Sequence, residues 1–75
     1  DLGEKQKALE YYTQSLPLSR QVGDKSGEAI MLNNIGSVYS DLGEKPKALE
    51  FYDLTLLLDR QVGDKRGEAT TLTNI

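Results

Sequence analysis

The sequence repeats itself. Asp1-Leu2-Gly3-Glu4-Lys5 returns as Asp41-Leu42-Gly43-Glu44-Lys45, and Gln21-Val22-Gly23-Asp24-Lys25 returns as Gln61-Val62-Gly63-Asp64-Lys65, a period of 40 residues. Aligning residues 1–35 with 41–75 leaves 24 of the 35 positions identical. Self-similarity at such a period belongs to arrays in which each unit is one supersecondary element that buries its apolar face only against its neighbours. The dependence on neighbours matters at this size, because a single core in 75 residues rarely supplies more than about 3–5 kcal/mol without staples. The chain holds just under two periods and opens and closes partway through a unit, so it reads as a piece cut from a longer array.

Within a period the punctuation predicts helices. Gly23, Gly43 and Gly63 each follow a periodic apolar run, where a helix end favours a residue tolerant of positive φ. Asp24 and Asp64 come next, placed to cap the exposed N–H groups of the following helix and to face its positive dipole end. Pro46 falls in an opening turn, where its missing N–H costs nothing; the equivalent Gln6 lacks that aid. Four helices result, over about 4–22, 25–41, 45–62 and 65–75.

Their apolar positions recur at three and four. Ala48, Leu49, Tyr52 and Leu56, with Phe51 and Leu58 on an adjoining row, are matched by Ala8, Leu9, Tyr12, Leu16, Tyr11 and Leu18 in the first helix. Ala29, Leu32, Ile35, Gly36 and Tyr39 share a face of the second, with Ala and Gly letting a neighbouring backbone come close. Two-residue alternation is absent. The fold class is all-α: an α-solenoid of antiparallel helix hairpins.

Composition narrows the function. Without cysteine or histidine there are no disulfides, no thiolate chemistry, no Cys-containing zinc site and no general base of the usual kind. Glu28 with Glu68, and Glu10 with Glu50, recur because the repeat recurs, and they are not a pair of carboxylates set around a substrate. Asp24-Lys25-Ser26-Gly27-Glu28 is too short and too poor in ligands for a calcium loop, and no Gly-rich phosphate loop occurs. An enzyme, a metal and a cofactor are therefore not expected. With 12 acidic against 9 basic residues dispersed along the chain, neither nucleic acid nor an anionic membrane is an expected partner. The longest apolar run is Leu56-Leu57-Leu58 and no targeting signal is visible, so a cytoplasmic location is expected.

The residues also carry a family resemblance. Leu32-Asn33-Asn34-Ile35-Gly36-Ser37-Val38-Tyr39 follows the W-x2-L-G-x2-Y pattern of tetratricopeptide repeats, with Leu for Trp and Ile for Leu, and Ala48-x3-Tyr52 follows their A-x3-F. Two departures stand out: a period of 40 in place of about 34, and Arg20 and Arg60 where the pattern has Pro. A longer second helix, running to Val62, absorbs the additional residues. In these respects the chain resembles the long-period tetratricopeptide repeats of kinesin light chains, spindle-orientation adaptors and bacterial signalling proteins. HEAT and armadillo repeats share the period but lack the small-residue and aromatic pattern.

The resemblance implies a concave surface lined by the first helix of each unit and presented to an extended peptide or partner protein. Its lining positions here are Ile30, Asn33, Asn34, Ser37, Ser40 and Asp41, continued by Thr70, Thr73 and Asn74. Asn34 and Asn74 occupy the place where similar proteins grip a peptide backbone; an amide offers both donor and acceptor to a main chain. A solvated amide, or one bonded to a neighbouring helix, is the alternative. Asn33 is the weaker candidate because its counterpart is Thr73, and Asp41 and Asp1 read as solvated helix ends before recognition residues.

Other features read structurally. Arg20 and Arg60 are placed to donate to helix-end carbonyls or to Glu28 and Glu68, and close approach of the preceding helix is expected to compensate for Gly27 and Gly67. Pro17 predicts a bend. Leu54 and Leu57 replace Gln14 and Pro17, so that with Phe51 they form an exposed apolar strip suited to self-association. Leu9, Tyr12, Leu72 and Ile75 are left without the neighbours an array supplies, which predicts end-to-end stacking or exchange of a helix hairpin between chains. The rival to a peptide scaffold is thus a spacer or self-association module.

Overall fold

The computed structural model describes residues 2–75. Asp1, read above as a solvated helix end, lies outside them. Four helices follow one another: α1 (Leu2–Gln21), α2 (Lys25–Asp41), α3 (Lys45–Val62) and α4 (Lys65–Asn74). The α2 and α3 bounds are those predicted; α1 is helical from the first described residue, Leu2, to Gln21, against an expected 4–22, and α4 ends at Asn74. No strand occurs among the described residues, and no helix there is long and apolar enough to cross a membrane.

The connections are short because one motif closes each of the first three helices. Gly23, Gly43 and Gly63 sit at φ 70°, 80° and 72°, where a side chain would strain the backbone. Around each, two N–H groups turn back on the helix they leave: Gly63 N–H donates to Arg60 O at 3.3 Å and Asp64 N–H to Asp59 O at 2.8 Å, with the same pairs at Gly23 and Gly43. This is the double closure of a Schellman motif. Asp24 and Asp64 then serve the next helix, accepting from Gly27 N–H at 2.8 Å and Gly67 N–H at 2.9 Å. Glu44 gives no such side-chain cap; α3 opens with Pro46 instead. Links this brief make consecutive helices antiparallel neighbours.

Gly27 corrects one expectation, and Gly67 meets it in part. A Cβ at Gly27 would run into the capping carboxylate of Asp24, whose Cγ would lie 2.8 Å away, so the glycine makes room for the cap and not for the preceding helix. At Gly67 the cap dominates again, with α3 adding Asp59 Oδ1 at 3.0 Å. Arg20 and Arg60 take the second of their two expected roles: Arg20 Nε meets Glu28 Oε2 at 2.9 Å and Arg60 Nε meets Glu68 Oε2 at 3.0 Å, one bridge across each equivalent turn.

The core lies where α2 meets α3. Ala29, Leu32, Ile35 and Gly36 from α2 are buried against Ala48, Tyr52 and Leu56 from α3. Gly36 lets the Tyr52 ring lie on the α2 backbone: a Cβ there would stand 2.7 Å from Tyr52 Cε1. The phenol then donates to Ser37 Oγ at 3.2 Å, so that the ring's polar end is satisfied. Beside it Phe51 stacks on Tyr39, centroids 5.5 Å apart and planes 15° from parallel, with Lys47 Nζ 5.2 Å from the Tyr39 ring centre. Phe51 therefore belongs to the α2–α3 contact and not to the exposed Leu54–Leu57 strip.

Three residues assigned to core stripes are exposed: Leu49, Tyr11 and Leu18. Tyr11 and Leu18 lie on α1, whose main contact is α2 and which has no fully buried residue. A helix covered by one neighbour buries a narrower strip than its full apolar arc. Leu49 stands at the flank of the α3 stripe. α1 continues through Pro17 to Gln21 as one helix.

Candidate functional site

α2 and α4, the equivalent helices of the two units, are tied side chain to side chain. Asn74 Nδ2 donates to Asn33 Oδ1 at 3.2 Å. The alternative weighed for these asparagines, a bond to a neighbouring helix, thus occurs at Asn74. One N–H and the carbonyl of Asn74, and both N–H groups of Asn33, are not consumed by it. Asn33 is half-buried and Asn74 exposed; Asn34 is half-buried and makes no side-chain hydrogen bond with the described residues. Its place in α2 is that of Asn74 in α4.

The remaining candidates separate. Ser37 is occupied by Tyr52, which makes it part of the α2–α3 joint. Ser40 Oγ accepts from Lys45 Nζ at 3.4 Å, across the turn. Asp41 is the last residue of α2 and exposed, as a solvated helix end should be. Asn33, Ile30 and Thr70 share a cleft of about 230 Å³ that opens between α2 and α4 and is floored by α3. Thr73 turns back onto its own helix, donating to Ala69 O at 2.9 Å.

The floor of that cleft holds what sequence reasoning missed. Thr55, Asp59 and Thr71 are buried, with exposures of 2%, 3% and 1%. Thr55 Oγ1 donates to Phe51 O at 2.9 Å, within its own helix. Thr71 Oγ1 donates to Asp59 Oδ2 at a long 3.4 Å. Burial pushes the Asp59 carboxyl above its ordinary 3.8; repulsion from Asp64 adds to this, the Thr71 bond opposes it, and Glu68 adds again. A signal was present in the repeat alignment: the first unit has Ser15, Ser19 and Met31 at these places. No group of three or more Asp or Glu side chains among the described residues is arranged to hold a metal ion.

The apolar candidates are exposed. Leu54 and Leu57 stand out from α3 beside a surface depression that they share with Glu50, Asp53 and Arg60. Leu72 and Ile75 are 52% and 54% exposed, whereas their equivalents Leu32 and Ile35 are 1% and 3% exposed under α3. Leu9 and Tyr12 are half-buried.

Comparison with known proteins adds one match. A family model described as tetratricopeptide repeat covers residues 1–61. No curated protein matches the chain.

Proposed function

Because the chain belongs to the tetratricopeptide repeat family, whose members are in general protein–protein interaction modules, we propose that it is a scaffold holding an extended peptide on the face shared by α2 and α4. The observation that supports this most is the open cleft between α2 and α4, beside which Asn33 and Asn74 keep the amide N–H groups and the one carbonyl that their mutual bond does not use. Amides spaced along two helices can pair with main-chain N–H and C=O groups of a guest without reading its side chains. Asn33, Asn34 and Asn74 carry that contact; Ser37 and Asp41 flank it. The repeat is a non-catalytic scaffold fold, and no enzymatic role is proposed.

The test is affinity. A peptide selected on the 75-residue chain from a random extended library, labelled with a fluorophore, should bind at least tenfold more weakly to a chain carrying both Asn34→Ala and Asn74→Ala, with helical content unchanged. Unaltered affinity rejects the assignment of these amides.

A second reading is favoured by one comparison inside the molecule. Leu72 and Ile75 occupy positions that α3 covers in the first unit, and α1 carries Ala8, Tyr12 and Leu16 where α3 presents Ala48, Tyr52 and Leu56. The α1 face of a second copy would reproduce on α4 the contact that α3 makes on α2. Such a contact is head to tail, so copies add one after another into a ring or a filament.

A further inference from the structure

The cleft between α2, α3 and α4 contains a charge that nothing in the described chain neutralises. Asp59 lies at its floor, nine-tenths and more buried, and the long Thr71 bond is its sole side-chain hydrogen bond among the described residues. Arg60, its neighbour in sequence, is committed to Glu68. No Lys or Arg among the described residues forms an ion pair with Asp59, and Asp64 and Glu68 deepen the negative potential around it. Burying a carboxylate without a counter-charge is unfavourable, and residues kept in that condition inside a cleft are functional candidates.

The fold does not need a carboxylate there. The first unit builds the same turn and the same Arg–Glu bridge with Ser19 at this place. The cleft, about 230 Å³, is smaller than the roughly 300–1,000 Å³ of pockets that take whole small molecules. One side chain suits it. Ile30 and Thr70 offer apolar surface to an aliphatic stem, Asn33 offers its amide, and the carboxylate waits at the end.

We propose that the Asp59 cleft is a specificity pocket of the α2–α4 face and takes the cationic head of one lysine or arginine side chain from the bound peptide. The assignment rests on the peptide-binding reading above. Arg66 carries the same sign as the guest, but it sits exposed at the rim, where water and salt screen it. The Asp59 contact is made in a drier place and is correspondingly stronger.

The experiment separates the pocket from the face. In amide-resolved NMR of the 75-residue chain, N-acetyl-arginine amide should shift Asp59, Gly67 and Thr71, while N-acetyl-citrulline amide, of similar shape without the charge, should not. An extended peptide with one arginine should bind at least tenfold tighter than its citrulline twin, and Asp59→Ser, which installs the first unit's residue, should abolish the difference. Asp59→Asn, nearly isosteric, should do the same and guards against a folding defect in the serine variant. Equal shifts for arginine and citrulline overturn the pocket, and if they fall at Asn34 and Asn74, outside the cleft lining, the peptide-binding face stands. Shifts at Asp59 with the arginine amide, and no peptide bound at Asn34 or Asn74, uphold the cation pocket and overturn the peptide-binding reading instead.

Discussion

Asn74 donates through Nδ2 to Asn33 Oδ1 at 3.2 Å, joining two residues 41 positions apart and fixing the register of α4 on α2. The bond is exposed, so water competes for both partners, and its net worth falls at the low end of the roughly 0.5–1.5 kcal/mol of an ordinary hydrogen bond. Asn33→Ala should lower stability in urea unfolding by less than about 1 kcal/mol. A larger loss would mean that this bond carries stability and not merely alignment.

Gly36 and Tyr52 are coupled more strongly. Gly36→Ala forces a methyl to within 2.7 Å of the Tyr52 ring edge, and overpacking of this kind costs about 1–3 kcal/mol. Tyr52→Leu is destabilising alone because it removes the ring packed against Gly36 and the bond to Ser37. Combined, the two should cost less than the sum of the singles, since the clash needs the ring. Thermal or urea melts of the four chains measure this; strict additivity would contradict the contact.

Asp59 makes a prediction about pH. Its carboxyl is raised above 3.8 by burial first and by Asp64 second, so the folded chain holds this proton more tightly than the unfolded chain. The contribution to stability is fully present below 3.8 and is lost as pH rises through the raised folded value. Asp59→Asn has no such dependence. The stability of the variant relative to the parent should therefore increase with pH across that window and then level off, read by urea melts from acid to neutral pH. A difference that is flat with pH would show that Asp59 is not desolvated.

Leu72 and Ile75 bear on association. If the uncovered α4 face takes the α1 face of a second copy, the apparent mass in sedimentation should rise with concentration. Leu72→Lys should suppress the rise, because an ammonium in an apolar contact is left unpaired. A chain that stays monomeric at millimolar concentration removes the second reading.

How far the sequence reached follows from how local each interaction is. Gly23 and Gly63, the caps at Asp24 and Asp64, and the Arg20–Glu28 and Arg60–Glu68 bridges all act within eight positions and occur twice, so pattern alone places them. The α2–α3 core was legible for the same reason, through Leu32, Ile35, Ala48 and Tyr52. Thr55, Asp59 and Thr71 were not, because each has the character of a surface residue and is buried only once α4 folds over α3. Their burial is a tertiary effect. Phe51 was legible in part: its place on the row adjoining the core stripe holds, and only its assignment to the exposed strip fails, because its partner Tyr39 lies on another helix. Among the asparagines, position and type were readable, whereas the Asn74–Asn33 pairing depends on the offset between units.

The central claim is that the α2–α4 face receives an extended chain, and amide-resolved NMR of the 75-residue protein during titration with a pool of extended peptides tests it most directly. Shifts concentrated at Asn33, Asn34, Ser37 and Asn74 are the predicted result. Shifts confined to Leu54, Leu57, Leu72 and Ile75, with the asparagines silent, would contradict it and leave association between chains as the function of this repeat.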